Sequence, residues 1–91
     1  MPVFIISYDL NNQKDYQSLW EELRKLGCVR ALESVWIGAI KGTPETIRNH
    51  FINRNFVDDD DSLIVVQTSA DKIAFERPYQ EALDWVDKRL A

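Results

Sequence analysis

Pro2-Val3-Phe4-Ile5-Ile6-Ser7-Tyr8-Asp9-Leu10 opens the chain with the β-branched and aromatic residues that favour a strand. Side chains alternate across a strand, so Val3, Ile5 and Ser7 share one face and Phe4, Ile6 and Tyr8 the other. Apolar residues on both faces predict a central strand covered on both sides. The strand stops at Asp9, just before the polar turn Asn11-Asn12.

Outward from this strand the period changes. Over residues 12–26, Tyr16, Leu19, Trp20, Leu23 and Leu26 fall on one helical face. Asn11 or Asn12 can cap that helix, Asp15 suits its first turn, and Gly27 supplies the left-handed stop. Residues 28–36 read as a strand, and residues 37–41 continue it after a hairpin or sharp bend near Trp36 to Gly38. Thr43-Pro44-Glu45 starts a second helix running to about Arg54, with Ile47, Phe51 and, at the margin of that face, Ile52 inward. Residues 62–68 (SLIVVQT) form another strand with two apolar faces. Ile73 and Phe75, at period two, predict a short edge strand over residues 72–76. Residues 78–90 form a third helix with Tyr79, Ala82, Leu83, Val86 and Leu90 on one face.

The order β-α-β-β-α-β predicts an α+β, ferredoxin-like antiparallel sheet with helices on one face, plus a C-terminal helix. Residues 1–69 make the core, and residues 70–91 add the edge strand and helix to the same domain. The second sheet face still needs cover. A second copy of the chain is the expected cover, and the C-terminal helix is its rival. In that case Trp85, off the helix's apolar face, is spare and suits an interface.

The chain's 91 residues support one domain, and 45% apolar with 29% charged residues is globular composition. One Cys excludes an internal disulfide and fits a reducing compartment. No apolar run is long enough to span a membrane and no basic leader is visible, so a cytoplasmic location is expected. The net charge of −4 argues against a general nucleic-acid binder, which needs clustered Lys and Arg.

Most catalytic patterns are absent: no GxGxxG, P-loop, CxxC, HExxH or GxSxG occurs. A lone His50 and a lone Cys28 cannot build a zinc centre, and they read as a surface histidine and a packed thiol. Oxygen chemistry remains. Asp9 either caps the neighbouring turn or, paired with its symmetry mate in a dimer, holds Mg²⁺ and activates water. Asp58-Asp59-Asp60-Asp61 lacks the glycine of a calcium loop and reads as a solvated acidic loop. Arg30 and Lys41, on facing strands, make a modest basic patch. Trp20 reads as core; Trp36, at the bend, reads as core, dimer contact or base-stacking platform.

Taken together, Ile6-Ser7-Tyr8-Asp9-Leu10, the helix ending at Gly27, Arg30 and Ser34-Val35-Trp36 resemble the CRISPR-associated protein 2 family. Tyr16, Ser34, Trp36, Ile47-Arg48 and Asp61-Ser62-Leu63 bring the chain nearest to stand-alone relatives, and virulence-associated protein D toxins share the strand-end aspartate. The resemblance implies a homodimer with two Asp9 side chains near the two-fold axis, holding Mg²⁺ for phosphodiester hydrolysis, RNA favoured over DNA. It makes Asp9 and Ser34 the catalytic candidates with Tyr8 and Arg30 as neighbours, and the basic patch adds Lys41 to Tyr8 and Arg30 as nucleic-acid contacts. Trp36, Ile73, Phe75 and Trp85 fall to the dimer interface. The same resemblance implies two further roles: a non-catalytic scaffold bridging integrase subunits, or the toxin of a toxin–antitoxin pair.

Overall fold

The first strand, β1 (Val3–Asp9), lies inside the sheet, as its two apolar faces predict. The computed structural model describes residues 1–10 and 16–91. After β1 come α1 (Tyr16–Lys25), β2 (Val29–Leu32), β3 (Val35–Ala39), α2 (Pro44–Asn53), β4 (Ser62–Thr68), a 3-10 turn (Ala70–Lys72) and α3 (Gln80–Leu90). The strands are antiparallel in the order β2-β3-β1-β4, the ferredoxin-like arrangement. The helix start expected at Asn12, its caps Asn11 or Asn12, and Asp15 lie outside the described residues.

Phe4, Ile6 and Tyr8 face the layer of α1 and α2, where Leu19, Leu23, Ile47 and Phe51 close over them. Each of these side chains is almost fully buried, worth roughly 1.5–3 kcal/mol apiece, so this layer carries most of the hydrophobic stabilisation. The helices end where the sequence predicts. Gly27 takes φ 84° and Cys28 N–H donates to the Leu23 carbonyl at 3.0 Å, closing α1 with a six-to-one turn. Thr43 caps α2: its hydroxyl accepts from Thr46 N–H at 3.2 Å, and its own N–H donates to Thr46 Oγ1 at 2.9 Å.

The hairpin is displaced from its expected place. The turn falls at Glu33-Ser34, and Trp36 and Gly38 lie within β3. Gly38 marks a close approach instead of a bend, because a Cβ there would run into Cys28 Sγ. Trp36 is 1% exposed in the helix-side core, so it has no surface to offer a dimer partner or a stacked base. A bulge between Arg30 and Leu32 adjusts the pairing of β2 with β3.

The other sheet face is half covered by the chain itself. Ala82 and Trp85 of α3, with Ile73 and Phe75 from the segment before it, pack over Val3, Ile5, Val29 and Ile37. The expected edge strand at residues 72–76 is absent: Ala70–Lys72 forms a 3-10 turn and no ladder follows. Trp85 is therefore not spare but part of this cover, with the Arg89 guanidinium 3.9 Å from its ring centroid. Tyr79 and Leu90, expected on the buried face of the helix, are 48% and 56% exposed. The cover stops short of β4, where Ile64 and Val66 stay 57% and 44% exposed.

Glu81 fastens α3 to the sheet. Its carboxylate accepts from Arg24 Nη1 and Nη2 at 3.2 and 3.3 Å and from Arg30 N–H at 2.8 Å. Burial raises its pKa, but the Arg24 hydrogen bond, the Arg30 amide and the two arginine charges outweigh that and hold it below the ordinary glutamate value. A depressed carboxylate stabilises the fold above its unfolded pKa and loses that contribution as pH falls through the folded value. Glu81→Gln is therefore expected to lower stability at pH 7 by about 1 kcal/mol or less, given the solvent screening of this exposed pair. The gap to the parent should close as the medium is acidified below the ordinary glutamate pKa, read by urea unfolding across that range.

Candidate functional site

Asp9 ends β1 opposite Ser62, the first residue of β4, and Tyr8 N–H donates to the Ser34 carbonyl at 3.4 Å. The β1 end, the β2–β3 turn and the β4 start thus share one end of the sheet. Asp9 is exposed there, and no described residue hydrogen-bonds or pairs with its carboxylate. The turn that Asp9 is alternatively expected to cap, at Asn11-Asn12, lies outside the described residues.

A cavity of about 560 Å³ opens beside it, lined by Tyr8, Asp9, Tyr16, Trp20, Arg30, Glu33 and Ser34. Four residues singled out from the sequence, Tyr8, Asp9, Arg30 and Ser34, therefore meet at one hollow. Their roles differ from the expectation. Tyr8 is 6% exposed, and its hydroxyl accepts the indole N–H groups of Trp20 at 2.5 Å and Trp36 at 3.3 Å. It forms a wall and does not present its ring to a ligand. Arg30 lies 4.3 Å from the Trp20 ring centroid and donates through Nε and Nη2 to the Glu33 carbonyl at 2.9 and 2.6 Å. That clasp turns one edge of the guanidinium, Nε and Nη2, to the hairpin turn.

Lys41 is not part of this site. β3 pairs Ala39 with Val3, at the opposite end of β1 from Asp9. Six residues of strand separate Val3 from Asp9, about 20 Å. Arg30 pairs with Trp36, far from Lys41 along β3, so the two cations make no common patch. Proximity in the hairpin had been inferred from a turn placed too late.

Tyr16, Trp20 and Glu33 were missed as cavity residues. The i, i+4 spacing of Tyr16 and Trp20 was the available signal, and it was read as core packing alone. A shallower hollow of about 220 Å³ adjoins Asp9 on the sheet's other face, lined by Ser7, Tyr8, Asp9, Ser62, Leu63 and Ile64. Asp9 thus stands between the aromatic cavity and the uncovered flank of β4.

The acidic loop reaches the same end of the sheet. Carboxylate oxygens of Asp58, Asp60 and Asp61 lie within 4.8 Å of one another and can hold a metal ion. Asp58 N–H donates to Asp61 Oδ2 at 2.8 Å, which curls the loop. The run remains at the surface, as its sequence predicts, and its carboxylates converge although it lacks the glycine of a calcium loop.

The two remaining candidates are held by packing. Cys28 is a buried free thiol whose pKa burial raises to about 12, so it stays protonated and unreactive. His50 is not simply a surface group. Its Nε2 lies 2.5 Å from Oε2 of Glu22, a residue 8% exposed, across the α1–α2 contact. No described helix is long and apolar enough to cross a membrane. No protein-family model and no solved structure matches the chain.

Proposed function

We propose that the chain acts as a homodimer whose two Asp9 carboxylates meet near the two-fold axis and hold a divalent ion for phosphodiester hydrolysis, with RNA the favoured substrate. One observation carries the reading. The exposed Asp9 carboxylate shares a sheet face with Ile64 and Val66, the apolar strip that α3 leaves uncovered. A second copy seated on that strip would cover it and bring the two aspartates together.

The donor set fits a hard cation. Asp9 offers a carboxylate and Ser34, on the neighbouring turn, a hydroxyl, and the lining residues described include neither His nor Cys. Mg²⁺ keeps several waters and needs one or two carboxylates, which a pair of chains supplies. When bound, the ion would polarise a phosphoryl oxygen and lower the pKa of water. Asp9 would position it, Tyr8 and Trp20 would wall the site, and the Arg30 clasp would hold the turn carrying Ser34 in place.

A second reading is a non-catalytic dimeric module for a protein partner, such as an integrase subunit or an antitoxin. The remote Lys41 and the acidic sheet end favour it, because they leave Arg30 with little help in neutralising phosphates. An ion panel separates the two. End-labelled single-stranded RNA, single-stranded DNA and duplex DNA are incubated with the protein in Mg²⁺, Mn²⁺, Ca²⁺ or EDTA. The proposal expects RNA cleavage in Mg²⁺ or Mn²⁺ and none in EDTA. Intact substrates under every condition would overturn it in favour of the binding module.

A further inference from the structure

The cavity beside Asp9 has features that metal chemistry leaves unused. Its 560 Å³ falls within the roughly 300–1,000 Å³ range of small-molecule sites. Tyr16 and Trp20 flank it with ring centroids 5.8 Å apart, and the flat Arg30 guanidinium lies against Trp20. Flat aromatic and guanidinium surfaces are the platforms on which unpaired bases stack. Its acids are Asp9 and Glu33, and no described residue engages either carboxylate. With Asp9 given to the ion, Glu33 is left as an acceptor without a donor.

We infer that this cavity seats one unpaired base of single-stranded RNA, guanine by preference, with Glu33 accepting from its Watson–Crick edge. An ionised carboxylate only accepts hydrogen bonds. Guanine alone presents two adjacent donors, N1–H and the 2-amino group, which one carboxylate takes as a pair. Uracil presents a single N–H between two carbonyl oxygens, which a carboxylate repels. Adenine and cytosine, each with one amino group, rank between. The inference deepens the RNA reading above and rests on it, yet its test needs no cleavage.

GMP, AMP, CMP, UMP and ribose 5-phosphate are titrated into the full chain in EDTA while tryptophan emission is followed, since Trp20 lines the cavity. GMP should quench saturably, with UMP about tenfold weaker and ribose 5-phosphate silent. Glu33→Gln, on an exposed turn, should weaken GMP about tenfold and erase the preference. Equal response to all five compounds, no saturable response, or an unchanged preference in Glu33→Gln would each overturn the inference. Saturable GMP binding in a protein that cleaves nothing would sink the hydrolytic reading and spare this one. Metal-dependent cleavage without base preference would do the reverse.

Discussion

Asp9→Asn is expected to cut metal-dependent RNA cleavage by about a thousandfold while leaving the fold unchanged. The amide keeps the shape of the side chain and removes its charge. Both copies lose that charge together, and the cavity's other acid, Glu33, lies on the β2–β3 turn and not at the end of β1. A thousandfold loss corresponds to about 4 kcal/mol of transition-state stabilisation. Folding should not notice the change, because Asp9 is exposed and no described residue bonds to it. Such surface substitutions fall within about 0.5 kcal/mol. Asp61→Asn supplies the contrast, since Asp58, Asp60 and Asp61 form a separate oxygen cluster at the same sheet end. Initial rates in Mg²⁺ and thermal unfolding are measured for both variants. Full activity in Asp9→Asn with loss in Asp61→Asn would move the metal site to the acidic loop and refute the assignment.

The parts of the fold legible in the sequence are those governed by local chemistry. β1 reveals itself because Phe4, Ile6 and Tyr8 alternate with Val3 and Ile5, and burial follows that alternation. The α2 start is explicit in Thr43-Pro44, since a cap and a fixed φ act within four residues. Gly27 likewise terminates α1 by a conformation that side chains resist.

What escaped depends on contacts remote in sequence or on geometry that breaks a simple period. The β2–β3 turn uses Glu33-Ser34, neither with positive φ, so it lacks the glycine or asparagine that announces a tight hairpin. Its register is helped by the Arg30 side chain gripping the Glu33 carbonyl. Gly38 drew the turn toward itself, although its reason is the Cys28 side chain pressed against it. Ile73 and Phe75 alternate like a strand, yet they serve as apolar pegs beneath α3 with no neighbouring strand to pair. Asp9 was legible because it stands at the end of an identifiable strand, whereas Ser34 entered through the family resemblance and reads as mid-strand from the sequence pattern. The walls of the site were not legible, because helix periodicity places Trp20 inward without saying that its edge reaches a cavity.

Val66→Asp is expected to separate the dimer and, with Asp9 untouched, to abolish cleavage at micromolar protein. Val66 is 44% exposed in the single chain, so a carboxylate there costs the monomer fold little. On the covered strip the same carboxylate would be buried without a partner, which costs several kcal/mol and weakens association at least a hundredfold. The position is chosen over Ile64 because β4 carries it about 13 Å from Ser62, the register partner of Asp9, so its charge does not act on the ion site directly. Leu90→Asp is the control, an exposed apolar residue on α3 and not on β4. Sedimentation velocity and cleavage assays are run on the same preparations. A dimeric parent, a monomeric and inactive Val66→Asp, and an unaffected Leu90→Asp would tie hydrolysis to pairing, with activity returning as protein concentration rises. A monomeric Val66→Asp that cleaves at the parental rate would show that one Asp9 suffices. A dimer indifferent to Val66→Asp would place the contact elsewhere. Either result removes the reason for the two aspartates to meet through the uncovered β4 flank.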